Sequence, residues 1–204
     1  VAFRRRWRCS LCVYVCVCYL RPSELFKLRV MDFVLPMESK QPRRMVLVLH
    51  LYELGVLSKT REFDETVTVD GAHVQFLEKA ALKILQLKRR SPTEKAFRIT
   101  LPIMSEFMQE CETTLDLSRL GVCHPYRLRH GGASHDFAAQ LRNLTEIQRR
   151  GRWRAFASVR RYEKGGRLTQ LMQSLTEAVQ RKAASCSNHI AEVMCGKRSA
   201  QGLL

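Results

Sequence analysis

The chain lacks a long hydrophobic run. Its longest apolar segment, residues 11–20, is about ten residues long, whereas a helix that crosses a bilayer needs about 20. Arginines precede this segment, as in a signal peptide, but Arg21-Pro22 and a charged stretch follow it instead of a small-residue cleavage site. The sequence therefore argues against a transmembrane helix and against secretion. Because the chain begins with Val1, we expect it to be a piece of a longer protein.

Acidic residues are also scarce: 19 Asp and Glu stand against 35 Lys and Arg, which gives a net charge of +16. Such an excess favours a polyanionic partner, nucleic acid first and an anionic membrane surface second. A basic scaffold for RNA or membranes is less well supported, because the chain has neither an aromatic-rich RNA signature nor a lipidation motif. Five basic clusters could follow a nucleic-acid backbone: Arg4-Arg5-Arg6, Arg43-Arg44, Lys88-Arg89-Arg90, Arg149-Arg150 and Arg160-Arg161.

Paired zinc-ligand motifs are missing, although the chain has eight cysteines. Four of them, Cys9, Cys12, Cys16 and Cys18, lie in or beside the apolar segment. They could bind zinc, but no paired histidine or second Cys-x-x-Cys accompanies them. We predict instead that they are small hydrophobic residues buried in a helix, in a protein of a reducing compartment.

Internal repeats and low-complexity segments are absent as well, and the hydrophobic periodicity predicts an α+β fold, mostly α-helical with one small antiparallel β-sheet. We assign residues 1–185 to one domain and residues 186–204 to a C-terminal tail. Thr145 and Ser158 are predicted helix N-caps, and Gly165-Gly166 is predicted to end a helix. The predicted helices span residues 7–28 (interrupted at Pro22), 74–87, 101–115, 125–141, 145–151, 159–164 and 167–182, and the predicted strands span 45–51 and 65–69.

Arg129, Trp153 and Tyr162 follow one another in an order that suits attack on a DNA phosphodiester. Arginine neutralises a phosphate, an indole N–H donates a hydrogen bond to a phosphate oxygen, and a tyrosine hydroxyl can attack phosphorus. Trp153 precedes Tyr162 by nine residues and Arg129 precedes it by 33. A lone tryptophan is normally a core residue and a lone tyrosine a surface one, so the pattern counts as a whole. With Arg21-Pro22-Ser23-Glu24 and Lys59 it resembles, over residues 19–162, the catalytic domain of the tyrosine recombinases (the phage-integrase family).

Arg21 and Glu24 begin this pattern. Taken alone they could form an ordinary i, i+3 salt bridge on a helix surface, worth roughly a few tenths of a kcal/mol. However, Arg21 comes directly after the apolar segment, and residues 19–25 are similar to the segment that carries the family's first catalytic arginine. The resemblance implies that Arg21 contacts the scissile phosphate and that Glu24 supports the site.

Lys59 lies in the polar connection between the two predicted strands. A lysine in a turn is usually only solvent-exposed, but the order strand, Lys-Thr, Asp-Glu, strand is similar to the family's β-hairpin. By this resemblance we assign Lys59, rather than Lys40, as the general acid that protonates the leaving 5′ oxygen.

Two frames are possible for the second arginine. His124-x-x-Arg127 matches the family's His-x-x-Arg literally, whereas Tyr126-x-x-Arg129 has the better context, with Pro125 before it and Leu-Arg-His within it. We choose the second frame, in which His124 is the helix N-cap, Arg129 binds the phosphate and Tyr126 stands in place of the family's histidine. This departure weakens the assignment of a general base to Tyr126.

The residues after Arg129 have a structural interpretation. His130 and His135 are taken as structural residues. Gly131 and Gly132 lower helix propensity by about 1 kcal/mol each relative to Ala, so they indicate close approach by a neighbouring element or by DNA.

The resemblance, closest in wording to eukaryotic mobile-element recombinases, implies that Tyr162 attacks a DNA phosphate and leaves a 3′-phosphotyrosyl bond and a free 5′-hydroxyl. Arg21 and Arg129 would stabilise the transition state, Trp153 would orient the phosphate, and no metal or other cofactor is needed. The implied partners are double-stranded DNA and, through the helix at 167–182, further copies of the chain. The implied location is the nucleus of a eukaryote or the nucleoid of a prokaryote. We expect the family's N-terminal DNA-binding domain to lie outside this sequence.

Two alternatives stay open. One is a type IB topoisomerase, which uses the same Arg, Lys and Tyr chemistry to relax DNA. The other is a DNA-binding protein that derives from a mobile element and has lost catalysis. Arg21, Arg129 and Tyr162 argue against that loss, while Tyr126 and the cysteine-rich first helix leave it open.

Overall fold

The structure, a computed structural model, describes residues 2–36, 44–49, 55, 65–71, 74–84 and 89–198. Within these residues it has the predicted α+β fold, mostly helical with one three-stranded antiparallel sheet. The helices are α1 (Ala2–Cys18), α2 (Pro22–Leu25), α3 (Phe76–Ile84), α4 (Leu101–Thr114), α5 (Pro125–Ala138), α6 (Leu144–Gly151), α7 (Gly165–Ser174) and α8 (Glu177–Met194), and the strands are β1 (Phe33–Val34), β2 (Val46–Leu49) and β3 (Glu65–Thr68). None of the described helices is long and apolar enough to cross a membrane.

Helix α1 lies in the centre of the main core. Leu11, Tyr14, Val15 and Cys18 are buried along one side of it. The hydroxyl of Tyr14 donates to the carbonyl of Leu77 in α3 at 2.9 Å, so this buried polar group keeps a partner. The apolar segment that is too short to span a bilayer is therefore the central helix of a folded domain.

The cysteines of α1 differ in exposure. Cys18 is buried, Cys12 and Cys16 are half-buried, and Cys9 is exposed. Burial raises the pKa of Cys16 and of Cys18 to about 11, so both thiols stay protonated at neutral pH. The prediction of buried cysteines is confirmed for Cys18, holds in part for the half-buried Cys12 and Cys16, and is wrong for the exposed Cys9. In the described part of the chain, no group of three His, Cys, Asp or Glu side chains is arranged to hold a metal ion.

The strands β2 and β3 confirm the predicted hairpin in its two described arms. They pair antiparallel, with Val46 opposite Thr68 and Leu49 opposite Glu65, and their alternation buries Leu47, Leu49 and Val67. The third strand, β1, pairs with β2 and was not predicted, because two residues are too few to show alternation. The predicted general acid Lys59 and its alternative Lys40 lie outside the described residues.

Helix α5 packs along α1 and carries the second arginine motif. His124 is its N-cap, as predicted, since its side chain accepts a hydrogen bond from the backbone N–H of Tyr126 at 3.2 Å. Gly132 faces α1, where a Cβ would overlap the backbone carbonyl of Cys16, whereas a Cβ on Gly131 would meet nothing within 4 Å. The predicted close approach is therefore confirmed for Gly132, and the approaching element is α1.

The N-cap of helix α6 is Asn143, two residues before the predicted N-cap Thr145. The side chain of Asn143 accepts from the backbone N–H of Glu146 at 2.9 Å, and the Glu146 carboxylate accepts from the backbone N–H of Asn143 at 2.7 Å. This reciprocal pair is a capping box. The Asn-x-x-Glu spacing carried the signal, which the Thr145 assignment overlooked.

The predictions for residues 156–194 are wrong in three respects. The predicted helix 159–164 with Ser158 as its N-cap is instead a short 3-10 turn, Arg160–Glu163, and a second 3-10 turn, Phe156–Ser158, precedes it. Gly165 begins α7 instead of ending a helix. The long predicted helix is interrupted at Leu175, because Thr176 caps a new helix by accepting from the backbone N–H of Val179 at 3.3 Å. That helix, α8, continues to the buried Met194.

Candidate active site

Six of the seven predicted site residues lie in one connected group of side chains, and the seventh, Lys59, is outside the described residues. The group forms where four segments meet: the turn between α1 and α2, the first half of α5, the C-terminal end of α6, and the 3-10 turn Arg160–Glu163. Two residues without a predicted catalytic role complete the group. We call it the site cluster, and it consists of Arg21, Glu24, Tyr126, Arg129, His130, Arg152, Trp153 and Tyr162.

Glu24 is the anionic centre of the arginine half of the site cluster. Its carboxylate is 3% exposed. It forms an ion pair with Arg21 and accepts from Arg152 Nη2 at 2.5 Å. Arg129 Nη1 lies 3.9 Å from the same carboxylate. The predicted i, i+3 pair of Arg21 and Glu24 therefore exists, and it belongs to a buried group of three arginines rather than to a helix surface.

This half of the site cluster carries excess positive charge. Arg152 Nε also lies 3.3 Å from Glu65 of β3, so three guanidinium groups contact two carboxylates. One positive charge remains, in surroundings of low polarity where an anion is held strongly. The side chain of Arg21 is 15% exposed, against 6% for Arg152 and 1% for Arg129. Arg21 is consequently the arginine of this group that solvent reaches most readily.

Arg129 is held below the surface by main-chain carbonyls. Its Nη1 donates to the carbonyl of Tyr19 at 2.6 Å and its Nη2 to the carbonyl of Gly151. Its guanidinium lies over the ring of Trp153, 4.5 Å from the centroid, a cation–π geometry. Burial and the neighbouring Arg152 lower the pKa of Arg129 to about 10, so it remains charged at neutral pH.

Arg127, the arginine of the rejected frame, has different surroundings. It is exposed, and its Nη1 donates to the carbonyls of Gly121 and Val122 at 3.0 and 2.9 Å. Its guanidinium therefore secures the loop before α5, whereas the Arg129 guanidinium lies in the site cluster.

Two left-handed residues bring the carbonyls to Arg129. Tyr19 has φ 47° at the end of α1, and Arg152 has φ 53° at the end of α6. Such angles are uncommon outside glycine and cost roughly 1–2 kcal/mol each. At Gly151 a Cβ would overlap the ring of Trp153, so only glycine fits between the helix and the indole. The sequence Gly151-Arg152-Trp153 thus has a local physical reason.

The tyrosine half of the site cluster centres on a short hydrogen bond. Tyr162 Oη lies 2.6 Å from His130 Nδ1, and the tyrosine is 6% exposed. The ring of Trp153 packs against both, with centroid distances of 5.6 Å to Tyr162 and 6.1 Å to His130. Tyr126 contacts the imidazole edge-on at 5.0 Å and is itself exposed.

Burial keeps both partners of this hydrogen bond neutral. It raises the pKa of Tyr162 to about 12, although Arg161 and Arg129 act in the opposite direction. It lowers the pKa of His130 to about 4, with Arg161 and Arg129 acting in the same direction. At pH 7 a tyrosine hydroxyl therefore meets an uncharged imidazole. In the imidazole tautomer that carries its proton on Nε2, the hydroxyl donates and Nδ1 accepts.

A cavity of about 1050 Å³ opens beside Tyr162 and His130, between α5, the 3-10 turn and α7. Among the described residues, its lining includes four basic side chains, Arg127, Arg142, Arg161 and Lys164, and no acidic one. Such a lining favours a polyanion.

An ion-pair network supports the site cluster from the side of the sheet. Tyr19 Oη donates to Asp136 at 2.6 Å, and Arg142 bridges Asp136 at 3.0 Å and Asp70 at 2.6 Å. Arg150 also contacts Asp70, at 2.8 Å. The network fixes the turn at Tyr19 against α5 and the end of β3, and so holds in place the carbonyl that Arg129 uses.

Sequence reasoning missed His130 and Arg152 as members of the site. His130 follows Tyr126 by four residues on one helix, so both lie on the same face; this spacing was an available signal. Arg152 carried no comparable signal, because its partner Glu24 is distant in sequence. No known family model matches the chain, and no curated protein is significantly similar to it in sequence.

Proposed function

We propose that this chain cleaves and rejoins DNA strands through a covalent bond between Tyr162 and a 3′ phosphate, with the architecture of a tyrosine-recombinase catalytic domain. The observation that carries the proposal is the Tyr162 hydroxyl, which is hydrogen-bonded to a neutral histidine beside an arginine-rich cluster and a basic cavity. A nucleophile, a proton acceptor and positive charge for the phosphate are the groups that such a reaction requires.

Each residue has a role in this proposal. Tyr162 attacks phosphorus, and the more exposed Arg21 contacts the phosphate oxygens. The buried Arg129 contributes positive charge next to the phosphate position and holds Trp153 in place by its cation–π contact. Direct contact of Arg129 with phosphate would require it to exchange the carbonyls of Tyr19 and Gly151 for phosphate oxygens. Lys59 is the proposed acid for the leaving 5′ oxygen.

A second candidate function is DNA binding without cleavage. The observation that favours it is burial, because Arg129 is almost completely buried and Tyr162 is only 6% exposed. If the site cluster does not open on DNA, the chain binds duplexes through its surface arginines and lysines alone.

The test is a nicked suicide duplex, in which cleavage releases a short strand and traps the covalent intermediate. The wild-type chain is expected to form an adduct that survives a denaturing gel and maps to Tyr162 by mass spectrometry. Tyr162→Phe should abolish the adduct and leave DNA affinity, measured by fluorescence anisotropy, nearly unchanged. An adduct that survives this substitution would refute the assignment. Binding without any wild-type adduct would favour the second candidate.

A further inference from the structure

The proton of Tyr162 needs an acceptor when the hydroxyl attacks phosphorus, and the expected position does not supply one. Tyr126, which stands where the family has a histidine, is a phenol and a poor base at neutral pH. The centroid of its ring lies 5.0 Å from the centroid of the His130 imidazole. The histidine one helical turn further along α5 is therefore the basic group beside the nucleophile.

We propose that His130 is the general base that takes the proton of Tyr162, and that Tyr126 and Trp153 form the two walls that hold its ring in place. This inference rests on the proposed function. Three contacts carry it: Nδ1 lies 2.6 Å from Tyr162 Oη, the Tyr126 ring packs against the imidazole edge-on, and the Trp153 ring lies 6.1 Å away at an interplanar angle of 31°. A general base must lie within about 2.6–3.2 Å of the oxygen whose proton it takes. The Nδ1 atom of His130 meets this requirement.

The step balances as follows. A lone pair of Tyr162 Oη forms the bond to phosphorus while the hydroxyl proton moves to Nδ1. The bond between phosphorus and the 5′ oxygen breaks, its electron pair stays on that oxygen, and the oxygen takes a proton from the general acid assigned to Lys59. On rejoining, a 5′-hydroxyl attacks phosphorus and gives its proton back to the group assigned to Lys59, while the bond between phosphorus and Tyr162 Oη breaks and that oxygen recovers its proton from His130.

The groups around His130 set the pH range of this base. Burial lowers the pKa of His130 most, and two charged groups add to it, Arg161 from the 3-10 turn and Arg129 from the same helix. The titratable neighbours are Tyr126 and Tyr162. Because the pKa is about 4, the ring is uncharged from mildly acidic to neutral pH, which is the form that a base requires, and it is a weaker base than an ordinary histidine. The imidazolium that forms is disfavoured by both arginines, which promotes return of the proton on rejoining.

The experiment measures the rate of adduct formation on the suicide duplex from pH 5.5 to 8.5 for the wild type, His130→Asn and His130→Gln. Asn places an oxygen near Nδ1 and can accept the hydrogen bond, but it cannot take a proton. His135→Asn is the matched control, an exposed histidine of the same helix. The expected wild-type rate is nearly independent of pH. The rate of His130→Asn should be about 10²–10⁴-fold lower than that of the wild type at pH 7. It should then rise about tenfold for each unit that the pH increases.

A duplex with sulfur in place of the 5′ bridging oxygen separates base from acid, since its leaving group needs no proton. The loss in His130→Asn should persist on this substrate. The assignment of His130 would be overturned by any of three results: wild-type rates in both His130 variants, a loss of rate with an unchanged pH profile, or a rate in His130→Asn that recovers on the sulfur substrate. Each of these results would leave the proposed function intact. Absence of an adduct in the wild type would instead refute the proposed function and this inference with it.

Discussion

At the residue scale, the arrangement of the site cluster depends on main-chain atoms as much as on side chains. The carbonyl of Tyr19 accepts from both Arg129 and Arg152, at 2.6 and 3.2 Å. It can do so because Tyr19 is left-handed, with its ring buried and its hydroxyl bonded to Asp136. The energetic cost of this backbone angle is thus offset by contacts that the angle itself makes possible.

Substitution by lysine distinguishes Arg129 from Arg127, because only the contacts of Arg129 require a guanidinium group. Arg129→Lys should reduce adduct formation by about 10²–10³-fold, because one ammonium cannot bridge the carbonyls of Tyr19 and Gly151 and also lie over Trp153. Arg127→Lys should change the rate little, since Arg127 is exposed and bonds a loop. Single-turnover cleavage checks both variants, with thermal unfolding as a control for folding. Equal losses would contradict the choice of the frame with Tyr126 and Arg129.

The buried imidazole of His130 predicts acid sensitivity of the fold. Its pKa is about 4 in the folded chain and about 6.5 in an unfolded one, so unfolding takes up a proton between these values. The histidine is neutral in both states above pH 6.5, and the free energy of unfolding falls as the pH drops from 6.5 towards 4, because only the unfolded chain takes up the proton. Urea unfolding of the wild type and His130→Asn at pH 7 and pH 5 checks it. A pH dependence that is the same in both proteins would contradict it.

At the element scale, adjacent glycines of α5 provide a matched pair. Gly132→Ala should destabilise the fold by about 1–3 kcal/mol or more, because its Cβ would overlap the Cys16 carbonyl and push α1 away from α5. Gly131→Ala should stabilise the fold by about 0.5–1 kcal/mol, because its Cβ meets nothing within 4 Å and alanine favours the helix. Chemical denaturation of both variants measures the difference. Destabilisation by both would mean that Gly131 also lies in a contact.

The apolar periods of α3 and α4 and the His124-Pro125 start of α5 were visible in the sequence, and all three helices lie close to their predicted positions. Errors arose where a local signal had two readings. Gly165-Gly166 looks like a helix end but begins α7, because the preceding residues form a 3-10 turn that leaves the helix to start anew. Leu175 fits the apolar stripe of a continuous helix, yet Thr176 caps a second one.

Part of the site cluster's membership could be predicted from the sequence, but its contacts could not. Arg21, Glu24, Arg129, Trp153 and Tyr162 carry motif spacing that a sequence displays, and they lie together in the structure. The partners of Arg129 are backbone carbonyls, which have no sequence signature. The hydrogen bond from Tyr162 to His130 joins α5 to a 3-10 turn whose geometry no periodicity predicts.

At the scale of the whole molecule, the charges beside the site cluster differ from those on the surface near Tyr162. Glu24, Asp70 and Asp136 each contact arginines in or beside the site cluster. Around Tyr162 the exposed charges are predominantly basic, with Arg149, Arg154, Arg160, Arg161 and Lys164 all exposed and Glu163 the nearest acidic residue in sequence. The net charge of +16 is therefore strongly represented on the surface that the proposed reaction would present to DNA.

This distribution predicts that counterion release dominates DNA binding. For about six phosphate contacts, the logarithm of the association constant should fall with the logarithm of salt concentration at a slope near −5, with similar affinity for duplexes of different sequence.

Replacing both Arg154 and Arg161 by alanine should make the slope less steep by about 2, because two phosphate contacts are lost. Lys79→Ala, in α3 and outside the cavity lining, is the control and should leave the slope unchanged. A salt titration by anisotropy measures all three proteins. A flat response in the wild type would exclude DNA as the main partner, and equal slopes in all three would place the binding surface away from Tyr162.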